Sequence, residues 1–402
     1  MSNTQKKNVP ELRFPGFEGE YSLDIFGNLA TNKSDKFNPQ NENASIDIEL
    51  DCIEQNTGRL IKIYNSKEFS SQKNKFNPQN VLYGKLRPYL NKYYFTKKSG
   101  VCSSEIWVLK STKEDKLLNL FLYYFIQTKR YSDVASKSAG SKMPRADWGL
   151  IENIRVYFPE LCEQQKIGEF FSKLDRQIEL EEQKLELLQQ QKKCYMQKIF
   201  SQELRFKDDN GNDYPEWEEK KLGELSQIVR GASPRPIKDP KWFNKESDIG
   251  WLRISDVTDQ NGKIYHLEQK LSIEGQEKTR VLLTTHLLLS IAASIGKPVM
   301  NFVKTGVHDG FLIFLNPKFN IFFMYYWLDY FKEKWSKYGQ PGSQVNLNSE
   351  IVKSQTLNTP SNHEQEKVGL FFSRNEKLIE LQQEKIMYLK RRKQALILKM
   401  FI

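Results

Sequence analysis

One stretch of the chain is written twice, and nothing else constrains the fold as strongly. Residues 159–200 overlay residues 360–401 at a constant offset of 201 with no gap. Identical pairs include Glu163/Glu364, Gln164/Gln365, Gly168/Gly369, Phe171/Phe372, Ile178/Ile379, Leu188/Leu389 and Lys192/Lys393. A shorter repeat opens each unit: Glu11-Leu12-Arg13-Phe14 returns as Glu203-Leu204-Arg205-Phe206, and Phe26-Gly27-Asn28-Leu29 is answered by Leu222-Gly223-Glu224-Leu225. The chain is therefore two units, each a globular part followed by a helical part. Between their matching ends the globular parts diverge, although Gly100-Val101 and Gly140-Ser141 still correspond to Gly306-Val307 and Gly342-Ser343.

The helical parts carry a heptad seam. Alternate steps of four and three give Ile167, Phe171, Leu174, Ile178, Glu181, Leu185, Leu188, Lys192, Tyr195 and Ile199 in the first. In the second they give Val368, Phe372, Asn375, Ile379, Gln382, Ile386, Leu389, Lys393, Leu396 and Met400. A seam sustained over more than four heptads predicts a coiled coil, with polar intruders at Glu181/Gln382 and Lys192/Lys393 fixing register. No Pro or Gly interrupts either segment after Gly168 and Gly369. Helices of roughly 36–40 residues would span about 55–60 Å. A matched partner on the same chain has a high effective concentration. The expectation is an antiparallel pair placing the two globular parts at opposite ends, related by a pseudo-two-fold axis; the alternative is that each helix joins a homodimeric coiled coil. The helices would carry apolar contacts for pairing and partner docking at Phe171, Ile178, Leu185, Leu188, Phe372, Ile379, Ile386 and Leu389.

The globular parts read as α+β. Short strand-like runs (Val81-Leu82-Tyr83, Ile106 to Leu109, Trp251 to Ile254, Phe311 to Phe314) alternate with turn signals at Asn56-Thr57-Gly58, Asn261-Gly262 and Asp309-Gly310. Aromatic runs of helical character cover Leu117 to Phe125 and Ile321 to Phe331. The boundaries expected are 1–160 for the first globular domain, 161–202 for its helix, 203–360 for the second domain and 361–402 for its helix.

Lys and Arg total 61 against 50 Asp and Glu, a net charge of +11. Basic residues interleaved with aromatics or glycines suit phosphate contacts, and guanidiniums fork onto phosphate or a guanine edge. The candidate nucleic-acid contacts are Lys85, Arg87, Tyr89, Lys92, Ser141, Lys142 and Arg145 in the first domain. In the second they are Arg230, Ser233, Arg235, Arg253, Lys297, Ser343 and Gln344.

Four cysteines without a CxxC pair and four scattered histidines indicate neither a zinc site nor a disulfide framework. The N-terminus lacks an apolar h-region, and Asn316, Pro317, Lys318 and Asn320 break the most apolar stretch. A cytoplasmic protein is expected. Ser294-Ile295-Gly296-Lys297 is the nearest trace of a phosphate-binding loop, but Ile291 stands where its first glycine should be. No Asp/Asn-Pro-Pro-aromatic tetrapeptide of an amino-methyltransferase is present.

The Glu-Leu-Arg-Phe segments, the stretch Val81 to Lys92, the Arg230-Gly231-Ala232-Ser233-Pro234 loop, and the Glu163 to Ile167 and Glu364 to Val368 segments together resemble the specificity subunit of type I restriction–modification systems. The resemblance covers essentially the whole chain. It implies two target recognition domains, each reading one half of a bipartite, gapped DNA site, with the helices setting the gap. It also implies two modification (methyltransferase) subunits carrying S-adenosylmethionine and methylating adenine at N6 after base flipping. Two restriction (motor-nuclease) subunits using ATP and Mg²⁺ would complete the complex. No cofactor or metal is expected on this chain, nor a catalytic site. The alternatives are a coiled-coil scaffold that binds DNA without sequence preference and a free-standing nuclease or methyltransferase.

Overall fold

Strands covered on both faces read as continuous apolar runs rather than as alternation. The central strands of each globular part, Val81–Gly84 and Ile106–Ser111, then Leu287–Ser290 and Phe311–Leu315, have that character. The computed structural model describes residues 8–43, 45–137, 142–292, 295–338 and 347–402. The chain divides into one unit of residues 1–183 with 383–402 and another of residues 184–382.

In the first globular part the strands are β1 (Ser22–Ile25), β2 (Ala30–Thr31), β3 (Lys36–Phe37), β4 (Ile46–Ile48), β5 (Tyr64–Asn65), β6 (Lys73–Phe76), β7 (Val81–Gly84), β8 (Tyr93–Phe95), β9 (Gly100–Cys102), β10 (Ile106–Ser111) and β11 (Arg155–Phe158). They are followed or interrupted by helices α1 (Asn119–Phe125) and α2 (Leu161–Phe200). The sheet orders are β2-β10-β7-β8, β3-β6-β9-β4-β5 and the ribbon β1-β11. Successive residues on a strand face opposite ways, so β7 and β10 each serve two cores. Val81, Tyr83, Trp107 and Leu109 pack with Phe121, Tyr124 and Phe171 on the helical side. Leu82, Ile106 and Val108 pack with Ile48, Phe76 and Cys102 beneath the second sheet.

The second globular part repeats this plan with β12 (Glu218–Lys221), β13 (Gln227–Arg230), β14 (Gly250–Leu252), α3 (Ile254–Asp259), β15 (Lys263–Ile264), β16 (Arg280–Leu282), β17 (Leu287–Ser290), β18 (Pro298–Asn301), β19 (Thr305–Val307), β20 (Phe311–Leu315), α4 (Ile321–Phe331), β21 (Thr356–Thr359) and α5 (Asn362–Met400). The sheets run β13-β20-β17-β18-β15, β14-β19-β16 and β12-β21. Leu287, Leu289, Leu312 and Phe314 meet Phe323, Tyr326 and Phe372 on one side, while Leu288, Phe311 and Ile313 meet Leu252, Val299 and Val307 on the other. The parallel pairs β4·β9 and β14·β19 occupy matching places and contain the Gly-Val correspondence seen in the sequence. One expectation fails locally. Arg253 and Ile254 do not extend the strand: Arg253 is the cap of α3 and Ile254 its first residue.

Both long helices are unbroken. Within the first unit Asp175 pairs with Lys393 (2.7 Å), Glu182 with Lys390 (2.7 Å) and Glu181 with Lys385 (2.5 Å). Within the second, Lys192 pairs with Glu376 (3.3 Å) and Tyr195 meets Phe371 at 5.3 Å. From Asp175–Lys393 to Glu182–Lys390 in the first unit, and from Lys192–Glu376 to Tyr195–Phe371 in the second, rising numbers on α2 meet falling numbers on α5, so the local pairing is antiparallel.

The repeated terminal motifs explain how the helix starts are held. Arg13 forks onto the fully buried Glu163 at 2.8 and 2.7 Å, and Tyr21 Oη donates to the same carboxylate. Arg205 does the same to Glu364 at 3.3 and 2.8 Å, with Trp217 Nε1 as the further donor. Gln164 and Gln365 each accept a backbone N–H, from Leu118 and Asn320, and each donates to a proline carbonyl, Pro159 or Pro360. The backbone joins are also alike. Leu204 N–H donates to Lys198 O at 3.0 Å, and Leu12 N–H donates to Lys399 O at 2.9 Å.

Candidate nucleic-acid interface

In the first unit the loop after β7 and the segment before Ala146 are drawn together by backbone bonds. Arg87 N–H donates to Pro144 O (2.7 Å), Ala146 N–H donates to Lys85 O (2.8 Å), and Leu86 bridges to Arg145. Arg87 adopts a left-handed conformation (φ 52°) that turns the chain into the short helical turn Pro88–Leu90. The result groups half-buried Lys85 with exposed Arg87, Tyr89, Lys142 and Arg145. Tyr89 is 56% exposed.

Arg145 is not a bare cation. Its Nε and Nη2 fork onto Glu105 at 3.0 and 3.1 Å. Glu105 lies in the turn from β9 to β10, and the Arg145 hydrogen bond holds its carboxyl below the usual range. Lys92 Nζ donates to Leu50 O at 2.5 Å and ties the loop to its own domain. Tyr83 and Tyr93, which the sequence interleaves with the basic residues, are core side chains, since strand alternation turns them inward.

In the second unit one turn organises the loop after β13. Gly231 lies so close to the β19–β20 turn that a Cβ there would stand 2.2 Å from His308 O, which only glycine avoids. Arg230 Nε donates to Asp309 O (2.6 Å), Ser233 Oγ donates to Asp309 Oδ1 (3.0 Å), and Arg235 Nη2 meets Asp309 Oδ2 (2.6 Å). Arg280, which the sequence reading did not select, adds a third guanidinium through Nε to Arg230 O at 2.7 Å. Burial pushes the neighbouring His308 imidazole below its ordinary value, with Asp309 opposing the shift and Arg235 and Arg230 adding to it. Its Nδ1 accepts the Gly310 N–H at 2.9 Å.

Two further candidate cations also have partners within their own domain. Arg253 folds back onto Asp256 of α3 at 3.0 and 3.3 Å and so caps that helix. Lys297 is half-buried and donates to Asn261 Oδ1 (3.2 Å) and Val257 O (3.4 Å); burial lowers its pKa. Ser141, Ser343 and Gln344 lie outside the described residues. The partners of these arginines are acidic side chains 40 and 74 positions away in sequence, which no local pattern announces.

Phe171 and Phe372 are fully buried in the cores of their units, and Ile178, Ile386 and Leu389 are buried as well. They form helix contacts but offer nothing to a docking partner, because a covered side chain has no free surface. Leu185, Leu188 and Ile379 are half-exposed. The exposed apolar helix positions are instead Leu180, Met387, Tyr388 and Leu398 in the first unit, and Leu187, Leu370, Leu378 and Leu381 in the second. Among the described residues no group of His, Cys, Asp or Glu is arranged to hold a metal, and no helix is long and apolar enough to cross a membrane.

A family model described as the type I restriction modification DNA specificity domain matches residues 20–190 and 214–391. The type I restriction enzyme MjaVIII specificity subunit of Methanocaldococcus jannaschii is 26% identical over 310 residues, covering 72% of this chain and 71% of the relative. The EcoDI specificity subunit of Escherichia coli is 25% identical over 169 residues, 40% of this chain and 37% of the relative. Among solved structures, a chain from a study of complex assembly and conformational transition of a type I R-M system aligns with a TM-score of 0.61 at 17% identity, over 94% of this chain and 96% of that one. The S subunit from M. genitalium aligns at 0.57 and 13% identity, over 98% and 99%. At such identities these two structures speak to the fold alone.

Proposed function

Because this chain belongs to the type I restriction–modification DNA specificity family, we propose that each globular part reads one half of a bipartite, gapped DNA site while α2 and α5 together set the gap. The observation that carries this reading is a duplicated scaffold bearing unlike loops. The sheets, the closing ribbon and the Arg–Glu clamp recur, whereas the cationic loops do not. The first unit presents Arg87, Tyr89 and Arg145 around the loop after β7. The second presents Arg230, Arg235 and Arg280 around the loop after β13. Equal frames with different guanidinium arrays suit two different half-sites, since base identity is read by side chains and not by the frame.

On this reading the chain performs no chemistry of its own. Two modification subunits dock along the helices through exposed apolar positions such as Leu187, Leu378 and Tyr388, and they bring S-adenosylmethionine. Motor-nuclease subunits bring ATP and Mg²⁺. The complex acts in the cytoplasm, where both its DNA and its cofactors are found.

The test is to co-purify the chain with its modification subunit, methylate genomic DNA, and map N6-methyladenine. Two short tracts at a fixed separation are expected. A single contiguous tract, or methylation indifferent to sequence, would falsify the reading. Turnover by the chain alone with DNA, Mg²⁺ and S-adenosylmethionine would point to an enzyme instead.

A further inference from the structure

Asp309 occupies the turn between β19 and β20 and grips the loop after β13 at three places. Its carbonyl accepts from Arg230, its two carboxylate oxygens engage Ser233 and Arg235, and its own N–H donates back to Ser233 Oγ at 3.1 Å. Among the described residues no other carboxylate pairs with Arg230, Arg235 or Arg280. Hydrogen bonds with an ionised partner are roughly twice as strong as neutral ones, so the carboxylate ties Ser233 and Arg235 firmly, beyond where backbone bonds from Gly231 N–H to Phe311 O and Ala232 N–H to Val307 O hold the start of the loop. One guanidinium on the carboxylate (Arg235), a second on the Asp309 carbonyl (Arg230) and a third on Arg230 O (Arg280) keep the cluster cationic, and each has a fixed direction.

Fixed direction is what base discrimination requires. A guanidinium distinguishes guanine only when its fork is aligned with O6 and N7, and small misplacement forfeits the second bond. The first unit uses the same device on a different loop, with Glu105 in the β9–β10 turn forking onto Arg145. We propose that Asp309 is a positioning residue for sequence reading by the second domain, holding the Arg230–Arg235 loop in its discriminating shape without itself touching DNA. The proposal rests on the DNA-reading function above.

The two simplest roles for Asp309 predict opposite results. A carboxylate near a phosphate backbone opposes binding, so a bystander Asp309 removed by Asp309→Asn should raise affinity for all sequences and leave preference alone. A positioning Asp309 should lose preference while non-specific affinity holds or rises.

The experiment uses the full chain co-purified with its modification subunits. A randomised duplex library is methylated with S-adenosylmethionine, and the methylated molecules are sequenced. Asp309→Asn should reduce preference by about tenfold, the scale of one bidentate base contact, at positions within one half-site only. The other half-site should be unchanged, and binding to an unrelated duplex should not weaken. Preference unchanged in both half-sites, or weakened equally in both, overturns the proposal. Should Asp309→Asn fail to fold by circular dichroism, Ser233→Ala removes one of the three grips and should shift the same half-site; no shift there also overturns it. A wild-type complex that selects no two-part sequence would instead sink the DNA-reading function itself, and this proposal with it.

Discussion

The Glu163 and Glu364 carboxylates show what a repeated letter can mean. Both are fully buried, and each is neutralised by an arginine from the opening motif of its own unit. Removing one member of a buried pair leaves an uncompensated charge and typically costs about 3–5 kcal/mol. Arg205→Ala should therefore destabilise the second unit on that scale, leaving Glu364 only the Trp217 N–H. Hydrogen exchange should show protection lost around Trp217 and the start of α5 while the first unit is unaffected. Uniform loss across both units would count against the clamp. Sequence comparison makes Arg13/Arg205 and Glu163/Glu364 visible as matching letters, but not as partners, because 150 and 159 positions separate them. The same distance effect hides the Glu105–Arg145 and Asp309–Arg235 pairs, so the tethering of the candidate arginines was not legible.

For the elements, the heptad pattern foretold two unbroken helices. What it could not foretell was where each stretch of seam would be buried, because that depends on the globular part lying over it. The lysine intruders answer a repeated acid. Lys393 meets Asp175, which accepts from Tyr124 Oη, and Lys192 meets Glu376, which accepts from Tyr326 Oη. Burial pushes the Glu376 carboxyl up, but Lys192, Lys263 and the Tyr326 hydroxyl outweigh it and leave it below its ordinary value. A carboxyl whose folded pKa lies below its unfolded one adds stability above the unfolded value, near 4.5. That stability disappears as pH falls through the folded value. Lys192→Ala should destabilise the second unit at neutral pH and flatten the acid limb of its stability curve, as measured by urea unfolding between pH 3 and pH 7. An unchanged acid limb would show that Glu376 is not set by this lysine.

Across the whole molecule, the division into two repeated units was legible because duplication leaves a trace in the letters themselves. The strand orders were not, since the divergent loops carry no spacing rule that orders β4 beside β9 or β17 between β18 and β20. Nor does the linear sequence reveal that each half lends the tail of its helix to the other unit. Met196, Ile199 and Phe200 sit in the core of the second unit, while Leu389, Ile397, Met400 and Phe401 sit in that of the first. The join between Lys198 and Leu204 is covalently continuous; its counterpart between Lys399 and Leu12 has the same backbone hydrogen bond without a connecting peptide. A protease site inserted after Ser201 and then cut should therefore yield two fragments that co-elute and melt within a few degrees of the intact protein. Reciprocal loan of helix ends is what would keep a severed chain whole.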